Sequence, residues 1–120
     1  MYEGWTRARY FSFIRSGLRM LWNKYPVKYI VKEKAKRKNQ SENKRLKWEF
    51  QCAKCENWFS DKETSVDHII QAGTLKDYSD LAGFVRRLLC KPEELQVLCT
   101  SCHKIKTDEE RKLMKIKNDE

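Results

Sequence analysis

Cys52-Ala53-Lys54-Cys55 and Cys99-Thr100-Ser101-Cys102 decide how this chain is read. Each is a C-x-x-C turn, which places two sulfurs on one side of a tight loop. Zinc takes four tetrahedral ligands, commonly thiolates at about 2.3 Å, so two such turns complete one site. A thiol-redox pair needs only one C-x-x-C and leaves the second unexplained. The turns are 43 residues apart, more than a compact zinc finger spans, so a small subdomain is expected between them. With Cys52, Cys55, Cys99 and Cys102 filling every ligand position, the expected zinc is structural rather than catalytic. The fifth cysteine, Cys90, ends an apolar helix face and reads as a buried core thiol.

A metal staple suits a chain of 120 residues with 40% hydrophobic and 36% charged side chains, because small domains bury a smaller share of their surface. The opening Met1-Tyr2-Glu3-Gly4-Trp5-Thr6 has no apolar run of signal length. No stretch approaches the ~20 apolar residues of a membrane span. A reducing cytoplasm is therefore the expected setting, where paired cysteines more often bind metal than form disulfides.

The formal charge of +9 is unevenly spread. Residues 1–50 hold 14 Lys/Arg against 4 Asp/Glu, and residues 51–120 hold 12 against 13. This predicts a basic N-terminal helical region, 1–47, beside a separate chemical module, 48–120. A basic region of this kind fits a polyanion such as nucleic acid; the bland alternative is a solvated helical surface.

Residues 5–24 predict an amphipathic helix, with Tyr10, Phe13, Ile14, Leu18, Leu21 and Trp22 at spacings of three and four. Tyr25-Pro26 should end it. A second helix is expected from Lys28 to about Lys38. Its run Lys32-Glu33-Lys34-Ala35-Lys36-Arg37-Lys38 has almost no apolar face and fits a solvated helix, a disordered arm or a phosphate-binding strip. Trp48–Cys52 alternates like a strand entering a turn, and Thr64–Ile70 is β-rich. Residues 79–90 predict a short helix carrying Leu81, Phe84, Val85, Leu88 and Leu89 on one face. Leu95–Leu98 reads as a strand, and Ser101 to about Lys115 as a final helix. The expected class is α+β, helices first.

The chain has two histidines, and both lie beside chemistry. His68 follows Asp67 in Val66-Asp67-His68-Ile69-Ile70. His103 follows the second C-x-x-C, so a metal there would pin the point from which it projects. Phosphodiester hydrolysis needs a divalent cation to polarise the phosphate and a base to take a proton from water. A carboxylate and an imidazole can hold one cation and leave positions open. Asp67 and His103 are the natural ligand pair, and His68 the natural base.

Asp67-His68-Ile69-Ile70, followed by Glu94-Leu95-Gln96-Val97-Leu98-Cys99-Thr100-Ser101-Cys102-His103-Lys104-Ile105-Lys106-Thr107, resembles the HNH endonucleases. It is similar in particular to small phage-encoded HNH proteins with two zinc knuckles. The motif covers residues 52–107. Tyr10–Ser16 also resembles the N-terminal helix of such proteins, less specifically. The resemblance implies a ββα-metal core with a structural zinc, His68 as general base, and Asp67 and His103 as ligands of a catalytic metal such as Mg²⁺, Mn²⁺, Ni²⁺ or Zn²⁺. The family's asparagine falls on Glu94. An amide both donates and accepts, whereas an ionised carboxylate only accepts. Bracing of the base loop would then use backbone N–H groups or pass to a residue such as Gln96.

The reading is thus a metal-dependent DNA endonuclease, nicking with low sequence specificity, acting as a monomer or weak dimer in a bacterial host cytoplasm. Phage packaging proteins are possible partners by family context alone. The competing reading is a non-catalytic zinc module that binds DNA or protein. It needs the four cysteines but has no use for an ordered base and ligand pair.

Overall fold

The computed structural model describes residues 1–119, with side chains through Ile116. Among the described residues there are four helices and two small antiparallel sheets, an α+β chain. The helices are α1 (Arg7–Asn23), α2 (Val27–Ala35), α3 (Tyr78–Leu88) and α4 (Thr100–Asp119). The strands are β1 (Lys36–Lys38), β2 (Trp48–Gln51), β3 (Trp58–Phe59), β4 (Thr64–His68) and β5 (Leu95–Cys99). No described helix is long and apolar enough to cross a membrane. The chain forms two compact units, each discontinuous in sequence: residues 1–28 with 68–95, and residues 29–67 with 96–120. The basic N-terminal stretch is thereby divided between them.

The first unit is built on α1 and α3. Thr6 caps α1, its hydroxyl accepting from the Arg9 N–H at 3.2 Å. The helix ends at Asn23, just before Tyr25-Pro26, as the proline requires. At the start of α3 the Asp80 carboxylate accepts from the Lys76 and Asp77 N–H groups, which satisfies backbone donors that precede the first helical hydrogen bonds. Phe11, Ala72, Leu75, Phe84 and Leu88 form the core, with Tyr10, Ile14, Leu18, Trp22, Leu81 and Leu89 packed on it. Full burial of a side chain such as Phe84 contributes about 1.5–3 kcal/mol.

The buried stripe of α1 keeps Tyr10, Ile14, Leu18 and Trp22 of the expected set but differs at its margins. Phe11 is buried, while Phe13 and Leu21 are exposed. Phe13 instead meets Trp5 edge-on, with ring centroids 5.3 Å apart. Residues at the margin of a helical stripe satisfy the spacing about equally, and the partner α3 selects among them.

The second unit holds a three-stranded sheet in the order β1-β2-β3 and most of the β4–β5 ribbon. β1 pairs antiparallel with β2 through Lys36↔Phe50, Arg37↔Glu49 and Lys38↔Trp48. β3 joins at Phe50↔Phe59 and Gln51↔Trp58. The expectation of helix to about Lys38 is corrected here, since α2 stops at Ala35 and Lys36–Lys38 is a strand. Lysine and arginine tolerate helix well, but this run has no apolar helical face to bury. As a strand it gains a backbone ladder with β2. Arg37 reaches the buried Glu49 carboxylate at 2.7 Å, and its guanidinium lies 3.8 Å from the Trp58 ring centroid.

Candidate metal centre and catalytic residues

The first C-x-x-C sits in the turn after β2. The Cys52 N–H donates to Asn57 O at 2.9 Å, and the Glu56 N–H donates to Cys52 O at 3.0 Å. Glu56 takes a left-handed φ of 62° to close this turn. The second C-x-x-C spans the junction of β5 and α4. Cys99 ends the strand, and Cys102 lies in the first helical turn with its N–H 3.5 Å from Cys99 Sγ. The Ala53 N–H donates to Val97 O at 2.8 Å, which ties the first turn to β5.

These bonds bring the four thiols together. The sulfurs of Cys52, Cys55, Cys99 and Cys102 all lie within 4.8 Å of one another, with Cys55 and Cys99 at 3.9 Å. A tetrahedron with about 2.3 Å bonds has edges of about 3.8 Å, so the cluster could hold a structural metal ion such as zinc. Among the described residues it is the one group of three or more such ligands. Cys52, Cys99 and Cys102 are buried and Cys55 is exposed. All five cysteines are free thiols, and Cys90 is buried away from the cluster's ligand set.

The thiols are electrostatically unlike. Burial pushes Cys52 up, but backbone N–H donors at Cys55, Cys99 and Lys54 outweigh it and bring it down to about 6. Cys102, hydrogen-bonded to Cys99 and its proton further favoured by burial, is pushed up to about 12. Metal binding to four thiolates must therefore displace protons.

Beyond this cluster, the structure brings Asp67 of β4 and His103 of α4 together. Asp67 Oδ1 lies 3.6 Å from His103 Nε2. The other oxygen, Oδ2, is held by Lys106 Nζ at 2.7 Å and by Gln96 Nε2 at 3.3 Å. Lys106 also reaches Glu110 at 2.7 Å. Burial alone would lower the Lys106 ammonium, but its bonds to Asp67 and Glu110 prevail and hold it above the ordinary lysine value. Asp67 is thus oriented through one oxygen while the other faces the imidazole. Two donors on one small divalent ion, at about 2.0–2.2 Å each, are separated by about 3–3.5 Å. The observed 3.6 Å lies just beyond that range.

No family model, curated protein or solved structure matches this chain.

His68 belongs to the first unit. Its Nε2 lies 2.8 Å from the carbonyl oxygen of Leu88, and its ring packs against Trp22 at a 39° tilt with centroids 4.2 Å apart. A carbonyl only accepts, so Nε2 is the donor in this bond. Leu88 ends α3, where carbonyls lack helical partners, and the imidazole satisfies one of them. Glu94 is placed differently from an amide brace. Its carboxylate accepts from the Lys91 N–H at 3.2 Å, and its backbone carbonyl accepts from the Ile69 N–H at 3.0 Å. The residue after His68 is therefore held by the main chain of Glu94.

The sequence reading missed Lys106, Glu110, Trp22 and the Leu88 carbonyl. Lys106 and Glu110 were open to it, because they lie three and seven residues after His103 on one helical face. Trp22 and Leu88 carry no local signal, since each meets His68 across a long loop closure.

Proposed function

We propose that this chain is a metal-dependent endonuclease of the HNH type that hydrolyses DNA phosphodiester bonds, stapled by a structural zinc on Cys52, Cys55, Cys99 and Cys102. The observation that carries the reading is the approach of Asp67 Oδ1 and His103 Nε2 to 3.6 Å. A β4–β5 ribbon leading into α4 is also the arrangement that the family resemblance implies.

Asp67 and His103 would hold the catalytic divalent ion, which supplies Lewis-acid polarisation of the phosphate and stabilises the leaving oxygen. Lys106 and Gln96 keep the Asp67 carboxylate turned toward that position. His68 would take the proton from the attacking water, and the Leu88 carbonyl beside Nε2 would stabilise the imidazolium that forms. Trp22 packs against the ring. Glu94 secures the loop after the base through its carbonyl, so its carboxylate need not replace an amide.

One observation favours the non-catalytic zinc module instead. Lys106 already places a cation on Asp67 at 2.7 Å, and the pair supplies only two protein ligands. Supercoiled plasmid incubated with Mg²⁺, Mn²⁺, Ni²⁺ or Zn²⁺, against EDTA, separates the readings. The endonuclease converts plasmid to the nicked circle, and His68→Ala lowers the rate by about 10²–10⁴-fold with metal content unchanged. Full cleavage by His68→Ala, or none by the native chain with any of these ions, returns the protein to the binding-module reading.

A further inference from the structure

Residues 29–47 carry eight Lys/Arg against two Asp/Glu, and their end forms the β1–β2 hairpin. In its stem the charges are spent internally. Arg37 is locked between Glu49 and Trp58. Lys36 pairs with Glu33 at 2.6 Å and lies over Trp48 at 4.3 Å. Lys38, Lys44 and Arg45 differ. Their side chains are exposed, and none has a carboxylate partner among the described residues.

The tip that carries them is ordered by its own bonds. Asn39 Nδ2 donates to the carbonyls of Asn43 at 2.7 Å and Leu46 at 2.9 Å. Asn39 Oδ1 accepts from the Ser41 N–H and hydroxyl, and Asn43 Oδ1 accepts from the Arg45 N–H at 3.1 Å. The Asn39 N–H closes the ladder on Lys47 O at 3.1 Å. A cation on a preformed loop loses less freedom when it binds. β3 pairs with β2 only at Phe50 and Gln51, so the ribbon from Lys38 and Trp48 to the tip is two-stranded. A two-stranded ribbon is one of the elements that the major groove of a DNA duplex admits.

We propose that the β1–β2 hairpin is the duplex-binding element of this protein, with Lys38, Lys44 and Arg45 on backbone phosphates. This rests on the DNA part of the proposed function and not on its chemistry. Such contacts give affinity and salt dependence without base choice. The other basic surfaces are less suited. In α1, Arg7 pairs with Asp77 and Arg15 donates to Gly73 O. On α4, Arg111, Lys112 and Lys115 follow the acidic run Asp108-Glu109-Glu110.

The test uses the intact chain and a fluorescein-labelled duplex of mixed sequence, read by anisotropy across a salt titration with no divalent ion added. K38Q/K44Q/R45Q should weaken binding by roughly tenfold or more at low salt and lower the log–log salt slope by roughly two to three units. R111Q/K112Q/K115Q removes the same charge and should move the slope by less than about one unit. Should the hairpin triple fail to fold, judged by circular dichroism and metal content, its three single substitutions are read at about one unit each. Equal losses in both triples, an unmoved slope in the hairpin variants, or a labelled single strand bound more tightly than the duplex would overturn the proposal. A native chain that binds DNA but is insensitive to the hairpin loses only this assignment. A native chain that cuts no plasmid, yet depends on the hairpin for binding, loses only the nuclease reading.

Discussion

The two compact units carry nearly the same excess of positive charge and use it in opposite ways. The first holds ten Lys/Arg against five Asp/Glu, and the second sixteen against twelve. In the first, arginines of α1 serve the fold. Arg7 reaches Asp77, Arg9 lies over Trp5, and Arg15 joins Gly73 O and the Phe84 ring. Burial, and then Arg19 beside it, even lower the Arg15 guanidinium from its ordinary value. In the second unit the hairpin tip leaves its cations to solvent. A net charge therefore says little about a binding surface until each cation's partner is known.

The units also differ in what holds them. The first has an aromatic and aliphatic core centred on Phe11, Phe84 and Leu88. The second is organised around Cys52, Leu98, Cys99 and Cys102, with Phe59 packed on them. The largest expected effect follows from that contrast. Cys52→Ser or Cys99→Ser would remove a ligand of the structural metal that the cluster could hold, a contribution on the order of 10 kcal/mol. Amide hydrogen exchange should lose protection in β2, β5 and the start of α4, while α1 and α3 retain theirs. Equal loss in both units would mean that they fold as one.

Acid should act on the same unit. The thiolate of Cys52, with its value brought down to about 6, stabilises the folded state above the ordinary thiol range and loses that contribution as pH falls through about 6. Metal retention, followed with a colorimetric chelator, should decline as pH falls, because protons compete with the metal for all four thiolates. Retention unchanged well into acid would show that the four thiols are not the ligands that hold the metal.

Phe84→Ala addresses the first unit. Deleting a fully buried ring costs about 3–5 kcal/mol, so the denaturant midpoint should fall while metal content per chain is unchanged. Loss of metal in this variant would break the contrast from the other side. The smallest effect is expected at Arg7→Gln. Its pair with Asp77 is exposed on both sides, which limits the stability change to about 1 kcal/mol or less. The salt slope for duplex binding should stay within the scatter of the native chain. A slope lowered by a full unit would place α1 on DNA and remove the division of labour between helix and hairpin.

Much of this molecule follows from rules that act over a few residues. The C-x-x-C turns, the pause at Tyr25-Pro26 and the apolar spacing of α3 act within one or two turns of chain, and each was legible in order. Asp67, His68 and His103 stood out by residue type and by their neighbours. The remainder depends on which distant segment completes each surface. Lys36–Lys38 is a strand because β2 offers a ladder and the Glu49–Trp58 seat for Arg37. α1 buries Phe11 rather than Phe13 because α3 meets that side. Nε2 of His68 donates to the carbonyl with which α3 ends. Asp67 is turned toward His103 because Lys106 and Gln96 take its other oxygen. Periodicity and turn chemistry select elements, whereas pairing with segments beyond the local turn selects faces, donor nitrogens and which charges remain for a partner. The physical reason is that local propensity is a property of the chain, while burial and hydrogen-bond satisfaction are properties of the surface that a distant segment supplies.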